Sequence, residues 1–309
     1  MDNRMRNFLN KVWNASRFLL MQFSEVVEEK PGNLQPEDKW ILSQMNDLVK
    51  EVTDKLDDYE MGLASHKLIE FFWNEFCDWY VEMVKPRLKE DKDDTSVAAL
   101  WTLKHVLTTC LKLLHPFTPF ITETIFLRLQ DKEKTIMVSD WPAYDPALNF
   151  PAEVKTIRHI QEAVRVIRNI RMEKQVPASK KVKIIVVCES ESVATSFTSS
   201  RAFFAFLAGA EEVEVQRDAS GIPDTAVSVV TEGAVLWLPL DSLIDFEKER
   251  ARLGKELKKL EAELARVEGK LANDGFIKKA PPKLIEEEEE KRDKYLVMLK
   301  KVEEQMNQL

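Results

Sequence analysis

Residues 246–309, FEKERARLGKELKKLEAELARVEGKLANDGFIKKAPPKLIEEEEEKRDKYLVMLKKVEEQMNQL, decide how this chain is organised. Phe246, Leu253, Leu257, Leu260, Leu264, Val267 and Leu271 recur every three or four residues, with Arg250 in one slot. That spacing belongs to a helix that turns one apolar seam toward a partner helix. Ser242 with Asp245 resembles a capping box at its start. Asn273-Asp274-Gly275 ends it, Gly being the residue that accepts a left-handed cap. Pro281-Pro282 opens a second helix with Leu284, Tyr295, Met298, Val302 and Leu309 in the seam and Glu288, Lys291 and Gln305 in polar slots. Its outer face offers the pairs Glu287–Lys291, Glu288–Arg292 and Glu290–Lys294 at i,i+4. So short a connection forces the helices antiparallel. Residues 242–309 are therefore expected to form an antiparallel coiled-coil hairpin about 40 Å long at 1.5 Å per residue.

Upstream the pattern changes twice. Residues 1–175 read as a bundle of about six helices, their apolar residues at helical spacing. The first carries Phe8, Val12, Phe18 and Leu19, with Trp13 also expected in the core. The second opens at Pro36-Glu37-Asp38, where Pro and acids suit a helix N-terminus. The third carries Leu63, Leu68, Phe72, Phe76, Trp79, Tyr80 and Met83 up to Pro86. A fourth spans 95–114, His115-Pro116-Phe117-Thr118-Pro119-Phe120 breaks into a fifth, and a sixth covers 152–173. After Pro177 the period drops to two. Val182–Val187 and Glu211–Gln216 read as strands around a helix at 192–207, and Ala226–Thr231 with Ala234–Leu238 as a hairpin turning at Glu232-Gly233. The expected fold is mainly α: a helix bundle (1–175), a small α/β subdomain (176–241) and the coiled-coil hairpin (242–309).

Composition limits the chemistry. The eight glycines are not spaced for a phosphate-cradling loop. The histidines His66, His105, His115 and His159 stand singly, and Cys77, Cys110 and Cys188 are scattered, so neither a metal site nor a disulfide framework is expected. The cysteine usage points to a reducing, cytoplasmic setting. No apolar run approaches the roughly 20 residues that span a bilayer, and no membrane partner is expected. Net charge is −8, but between Lys155 and Lys183 nine basic residues face two acidic ones. A phosphate backbone responds to such a local face within a Debye length of roughly 8 Å.

Several motifs carry a family resemblance. Arg6-Asn7-Phe8-Leu9-Asn10-Lys11-Val12-Trp13-Asn14-Ala15-Ser16-Arg17-Phe18 resembles the opening of the anticodon-binding helical domain of valyl-tRNA synthetases. Leu114-His115-Pro116-Phe117-Thr118-Pro119-Phe120-Ile121-Thr122-Glu123 is similar to a helix break shared by the Val, Leu, Ile and Met class I enzymes. Trp141-Pro142, Ile167-Arg168-Asn169-Ile170-Arg171-Met172-Glu173 and Asp274-Gly275-Phe276-Ile277-Lys278-Lys279-Ala280-Pro281 extend the likeness, the last to the hairpin tip of the bacterial valine enzyme. The family's two nucleotide-binding signatures do not occur. The resemblance thus implies the C-terminal portion of a class I enzyme, beginning after the catalytic region. The parent ligates valine to tRNA(Val) with ATP and Mg; this portion is expected to have no catalytic residue and no cofactor of its own. It is expected to act as a monomer with the rest of the synthetase in cis. The alternatives are a stand-alone coiled-coil adaptor and the matching region of a leucyl or isoleucyl enzyme. The isoleucyl enzyme typically ends in a cysteine-ligated zinc module that these three cysteines cannot make.

The resemblance also implies sites. Reading an anticodon requires splayed bases, stacked and hydrogen-bonded at their edges. Asn14, Ser16 and Arg17 are the candidate readers, with Arg4 and Lys11 for phosphate. Arg158, Arg165, Arg168 and Arg171 spread over about 140° of the sixth helix and are candidates for the tRNA backbone. On the hairpin, Arg250, Lys255, Lys258, Lys259 and Arg266 are candidates for the outer corner of the L-shaped tRNA, with Lys278 and Lys279 at the tip.

Overall fold

A computed structural model describes residues 3–23, 29–88, 93–130, 133–174, 176–177, 179–239, 246–273 and 281–307. Two compact units emerge. One comprises Met1–Glu173, Lys181–Ile222 and Ser228–Leu238; the other comprises Lys174–Lys180, Pro223–Val227 and Pro239–Leu309. The helical bundle and most of the α/β segment therefore share one unit, and the helical hairpin falls in the other.

Among the described residues, the bundle holds six helices: α1 (Asn3–Leu20), α2 (Pro36–Asp57), α3 (61–84), α4 (Asp94–Leu114), α5 (Pro119–Leu129) and α6 (Pro151–Glu173). α3 starts as an α-helix, Met61–Glu70, widens into a π-helical stretch at Phe71–Tyr80, and closes with an α-turn at Val81–Val84. The Val81 N–H bonds to the Phe76 carbonyl, five residues back. Phe71, Phe72, Phe76, Cys77, Trp79 and Tyr80 are all buried along this stretch. Phe8 of α1 meets Phe72 edge-on at 5.9 Å, and Phe76 stacks on Tyr80 at 6.3 Å. Leu63, expected in this core, is 49 % exposed, because Ala64 and Leu68 set the buried face of this first stretch and Leu63 points about 100° away from it.

α4 corrects another expectation, since it is long and apolar enough to cross a membrane by length and composition. Two thirds of its most apolar stretch is buried among the other helices, with Leu103, Val106, Leu107 and Leu111 fully enclosed. The break before α5 follows from Pro116 and Pro119, which cannot supply helix N–H donors. Thr122 Oγ1 meets His115 Nδ1 at 2.8 Å and bonds to the Thr118 carbonyl at 2.9 Å, so the reversal is held by side chains. The loop before α6 is fastened to α2. Asn46 exchanges two bonds with the backbone of Asp145, and Ser43 bridges the Leu148 carbonyl and the Phe150 N–H.

One buried cluster joins three helices. Arg87, just beyond α3, makes a two-pronged bond to Asp38 at 2.9 and 2.8 Å and reaches Glu37 at 2.5 Å. It also donates to the Thr95 carbonyl at the start of α4. Tyr80 donates to Asp38 at 2.7 Å, and both side chains are fully enclosed. Burial holds the Tyr80 hydroxyl far above its ordinary value, with the Asp38 charge adding to the effect. Burial likewise raises Glu37, helped by Asp38 and opposed by Arg87.

The α/β segment is a four-stranded mixed sheet in the order β2-β1-β4-β3, from β1 (Val182–Val187), β2 (Ala210–Gln216), β3 (Ala226–Thr231) and β4 (Ala234–Pro239). β1 runs parallel to β2 and antiparallel to β4. The parallel pair needs a crossover, supplied by α7 (Glu191–Ser199) and helical turns at Arg201–Phe203 and Phe204–Ala208. Gly233 takes a φ of 81° in the β3–β4 turn, a backbone that favours glycine.

In the second unit, α8 (Phe246–Leu271) and α9 (Pro282–Asn307) pack side by side. Leu253, Leu260, Leu299 and Val302 form its core, with Leu257, Leu264, Tyr295 and Met306 against it. Lys270 meets Glu288 at 3.2 Å near the turn, which makes the pair antiparallel. From Leu253 to Val267 the α8 seam follows the expected register, and the Phe246 side chain lies outside the described residues. The α9 seam does not: Leu299 is 9 % exposed where Met298 is 40 %, and Leu284 is also 40 % exposed. The working slots are Ile285, Glu288, Arg292, Tyr295, Leu299, Val302 and Met306, each three or four apart. The buried polar slot is Glu288, 4 % exposed, which pairs with Lys270 and with Lys291 at 2.9 Å. Lys291 thus pairs with Glu288 in place of Glu287, and Arg292 pairs with Asp293 in place of Glu288. The Ser242–Asp245 box, the Asp274-Gly275 cap, Lys278, Lys279, Leu309 and the Gln305 side chain lie outside the described residues.

Removing Arg87 while leaving two buried carboxylates should be costly. Arg87→Met is expected to lower stability by about 3–5 kcal/mol, read by urea denaturation of the bundle. Glu37 gives a pH signature. Its raised folded value means the stabilisation from proton uptake is complete below the ordinary 4.5 and is lost as pH rises through the folded value. Glu37→Gln should remove that fall, seen by comparing urea midpoints of the two proteins between pH 4.5 and 7.

Candidate nucleic-acid interface

α1 buries a narrow stripe. Phe8, Val12, Ser16 and Leu19 are each no more than 2 % exposed, at spacings of four, four and three. Ser16 therefore faces the core, and its hydroxyl finds no partner among the described residues. It is not presented to a base, contrary to expectation. The same stripe leaves Trp13 and Phe18 at its edges, half-buried, where a core position was expected. Each edge ring carries a cation: Arg128 lies 5.6 Å over Trp13 and Lys85 5.7 Å over Phe18.

The opposite face of α1 is a row of exposed polar residues: Asn3, Arg6, Asn7, Asn10, Asn14 and Arg17. Asn14 and Arg17, the candidate readers, are both exposed on this row. Asn7 and Asn10, at i−7 and i−4 from Asn14, share the row and were missed; the repeat of amides at helical spacing was the available signal. Lys11 is committed elsewhere, bonded to Asp78 at 2.8 Å and lying 5.4 Å over Trp73. Burial works against the Lys11 charge, but the Asp78 bond and charge outweigh it and raise its pKa. The Arg4 side chain lies outside what the structure describes.

The four arginines of α6 have four different environments. Arg171 is 9 % exposed and donates to the carbonyls of Ala208 and Gly209 at 3.2 Å. It fastens the α/β segment to the bundle and is withdrawn from any phosphate. Arg168 spends its Nε on the Leu207 carbonyl at 2.8 Å while lying 5.8 Å over Trp79. Arg165 lies on the same indole at 5.4 Å and is exposed. Arg158 lines a groove with Asp47, Glu51, Glu70 and Glu75, a poor place to receive a phosphate. The side chains best presented to a polyanion are therefore Arg165 and the outer part of Arg168.

On α8, Lys255, Lys258, Lys259 and Arg266 are all exposed on the side away from the seam. The acids Glu256, Glu261, Glu263 and Glu268 lie beside the seam, so the outer face of α8 is basic although the hairpin as a whole is nearly neutral. The Arg250 side chain lies outside what the structure describes. Cys77, Cys110 and Cys188 are buried thiols, and burial pushes Cys77 up to about 12, far from a reactive thiolate.

Residues 38–186 match the family model described as the anticodon-binding domain of tRNA ligase, and residues 245–309 match the valyl tRNA synthetase tRNA binding arm. The valine–tRNA ligase of Clostridium acetobutylicum is 44 % identical over 304 residues, 97 % of this chain and 34 % of its own length. That of Bacillus subtilis is 36 % identical over 306 residues, 98 % of this chain and 35 % of its own. The chain thus spans about a third of the length of the curated relatives it matches.

Gly209 tests the fastening of the α/β segment. It has a φ of 66°, and a Cβ there would lie 2.8 Å from Arg171 Nη1. Gly209→Ala is expected to cost about 1–2 kcal/mol from the backbone alone, plus the displaced arginine. Faster amide exchange in β1 and β2 than in α2 would localise the loss.

Proposed function

Since this chain belongs to the valyl-tRNA synthetase family, over its anticodon-binding and tRNA-binding-arm regions, we propose that it holds tRNA(Val) at two points. The bundle reads the anticodon through the exposed face of α1, and the hairpin holds the outer corner of the folded tRNA. The observation that carries this reading is the polar row on α1. Asn7, Asn10, Asn14 and Arg17 offer donors and acceptors of the kind that recognise unpaired base edges. The half-buried rings of Trp13 and Phe18 beside that row provide faces on which a splayed base can stack. Arg165 and Arg168 supply charge for the backbone, and the lysines of the hairpin add a second electrostatic hold.

The reading assigns no bond-making step to these residues. Valine activation and transfer, with ATP and Mg, are assigned to the whole ligase. Within it this region contributes affinity and the choice of tRNA, and it works as a monomer with the remaining domains in cis.

Gel-shift titration with tRNA(Val) and an anticodon-swapped variant tests this. The chain should bind both, prefer tRNA(Val), and weaken steeply with salt. Arg17→Ala should narrow the preference roughly tenfold, at about 1–3 kcal/mol per lost base contact. Deleting residues 243–309 should weaken both RNAs about equally. Equal affinity for the two RNAs, unaffected by Arg17→Ala, would defeat the anticodon reading. A stable dimer with no RNA affinity at low salt would favour a protein-interaction adaptor.

A further inference from the structure

The corner between α2 and α3 carries three exposed apolar side chains within five residues. Tyr59, Met61 and Leu63 are 91, 48 and 49 % exposed. The backbone makes Tyr59 the most informative of them. The Tyr59 N–H bonds to the Leu56 carbonyl at 3.0 Å and the Glu60 N–H to the Lys55 carbonyl at 2.8 Å. That pair of bonds closes a helix with a cap whose left-handed residue is usually glycine. Tyr59 fills the position with a φ of 61°, and among the described residues no other non-glycine has a positive φ. A Cβ there crowds the following carbonyl, a cost that glycine avoids. The cap itself is held by its backbone bonds and by Lys55 paired with Glu60 at 2.5 Å. The Tyr59 ring contributes nothing comparable, since it stands almost wholly in solvent. A strained residue whose side chain does not serve its own fold points to a use outside it.

Charge selects the class of occupant. Between 54 and 60 the acids Asp54, Asp57, Asp58 and Glu60 stand against Lys55 alone. Asp54 is taken by Lys50 and Glu60 by Lys55, while Asp57 and Asp58 are exposed and make no ion pair among the described residues. Carboxylates beside the ring repel a phosphate backbone. Two copies meeting corner to corner would set the same carboxylates against each other. A protein surface that is apolar at its centre and basic at its rim matches the corner on both counts. Tyrosine is also among the side chains that most often anchor protein interfaces.

We propose that the α2–α3 corner docks onto such a surface on the remaining domains of the ligase. The Tyr59 ring is the anchor, Met61 and Leu63 extend its apolar contact, and Asp57 and Asp58 pair with Lys or Arg at the rim. The proposal rests on the cis arrangement given above and adds where the bundle is held. The chain spans about a third of the length of its curated relatives, so those proteins hold ample further sequence to supply the surface. The left-handed backbone then has a reason. It turns the ring away from the bundle, where a partner surface can enclose it.

The test compares this chain with the whole ligase, in which the chain is joined to the remaining domains. Nitration by tetranitromethane, read at the peptide that carries Tyr59, should be about tenfold slower in the whole ligase, because an anchoring ring is enclosed. Amide exchange over 60–68 should slow with it. Tyr59→Gly, or Asp57→Lys with Asp58→Lys, should return exchange in the whole ligase to that of the same variant of the chain alone. In the chain alone, Tyr59→Gly should leave urea stability unchanged or raise the folding constant up to about fivefold. A loss of stability there would show that the ring serves its own fold, and would overturn the proposal. Equal nitration in the two proteins would overturn it as well; charging of tRNA(Val) by that ligase would show that the underlying reading survives. Slower nitration of the chain alone on adding tRNA(Val), or on raising its own concentration, would make RNA or a second copy the occupant and refute the proposal.

Discussion

The guanidinium of Arg87 touches the first turn of α2 through Glu37 and Asp38 and the first residues of α4 through the Thr95 carbonyl. Tyr80, on α3 itself, closes the cluster by donating to Asp38. Burying such charges costs desolvation, so a cluster of this kind is poor evidence of net stability. Its effect is geometric. A planar five-donor fork bound to a carboxylate on both prongs admits few orientations, so the end of α3 cannot slide or rotate against α2 and α4. Everything α3 presents is positioned by that constraint.

What α3 presents is the support for both candidate RNA-facing surfaces of the bundle. Asp78 and Trp73 hold Lys11 of α1, and Trp79 lies beneath Arg165 and Arg168 of α6. The π-helical stretch lets six of ten consecutive residues be buried while Trp73 and Asp78 still reach α1. A guanidinium resting on an indole is partly desolvated and restricted in rotamer, so it loses less entropy when it then meets a phosphate. On this view Trp73 and Trp79 organise the basic residues and do not themselves need to touch RNA.

The hairpin follows a different economy. Its seam is thin, so it tolerates one buried carboxylate, Glu288, because Lys270 and Lys291 satisfy it from two helices. A register slip would take Lys270 away and leave that buried carboxylate with Lys291 of its own helix alone, and this opposes sliding where leucines alone would permit it. The two outer faces then differ in chemistry. Among the described residues, α8 is basic without exposed large apolar groups, and α9 is basic around the exposed Leu296, Val297 and Met298.

By itself the sequence determined the order and type of the elements. Periods of 3.6 and 2 follow from local backbone geometry, so the six bundle helices, the four strands and the hairpin were legible within a few residues of their ends. It also carried the family, through motifs such as 6–18 and 274–281. The placing of Ser16 on the buried stripe was readable too, had the series Phe8, Val12, Ser16, Leu19 been followed through its polar member. Only the tertiary structure decided which cations are free. Lys11 is claimed by a residue 67 positions away, and Arg171 by carbonyls 37 and 38 positions away. It also decided that Leu299, and not its neighbour Met298, enters the seam. Adjacent apolar residues on a helix differ by about 100°, and the phase is set by the partner helix, which the pattern along one strand of sequence does not contain.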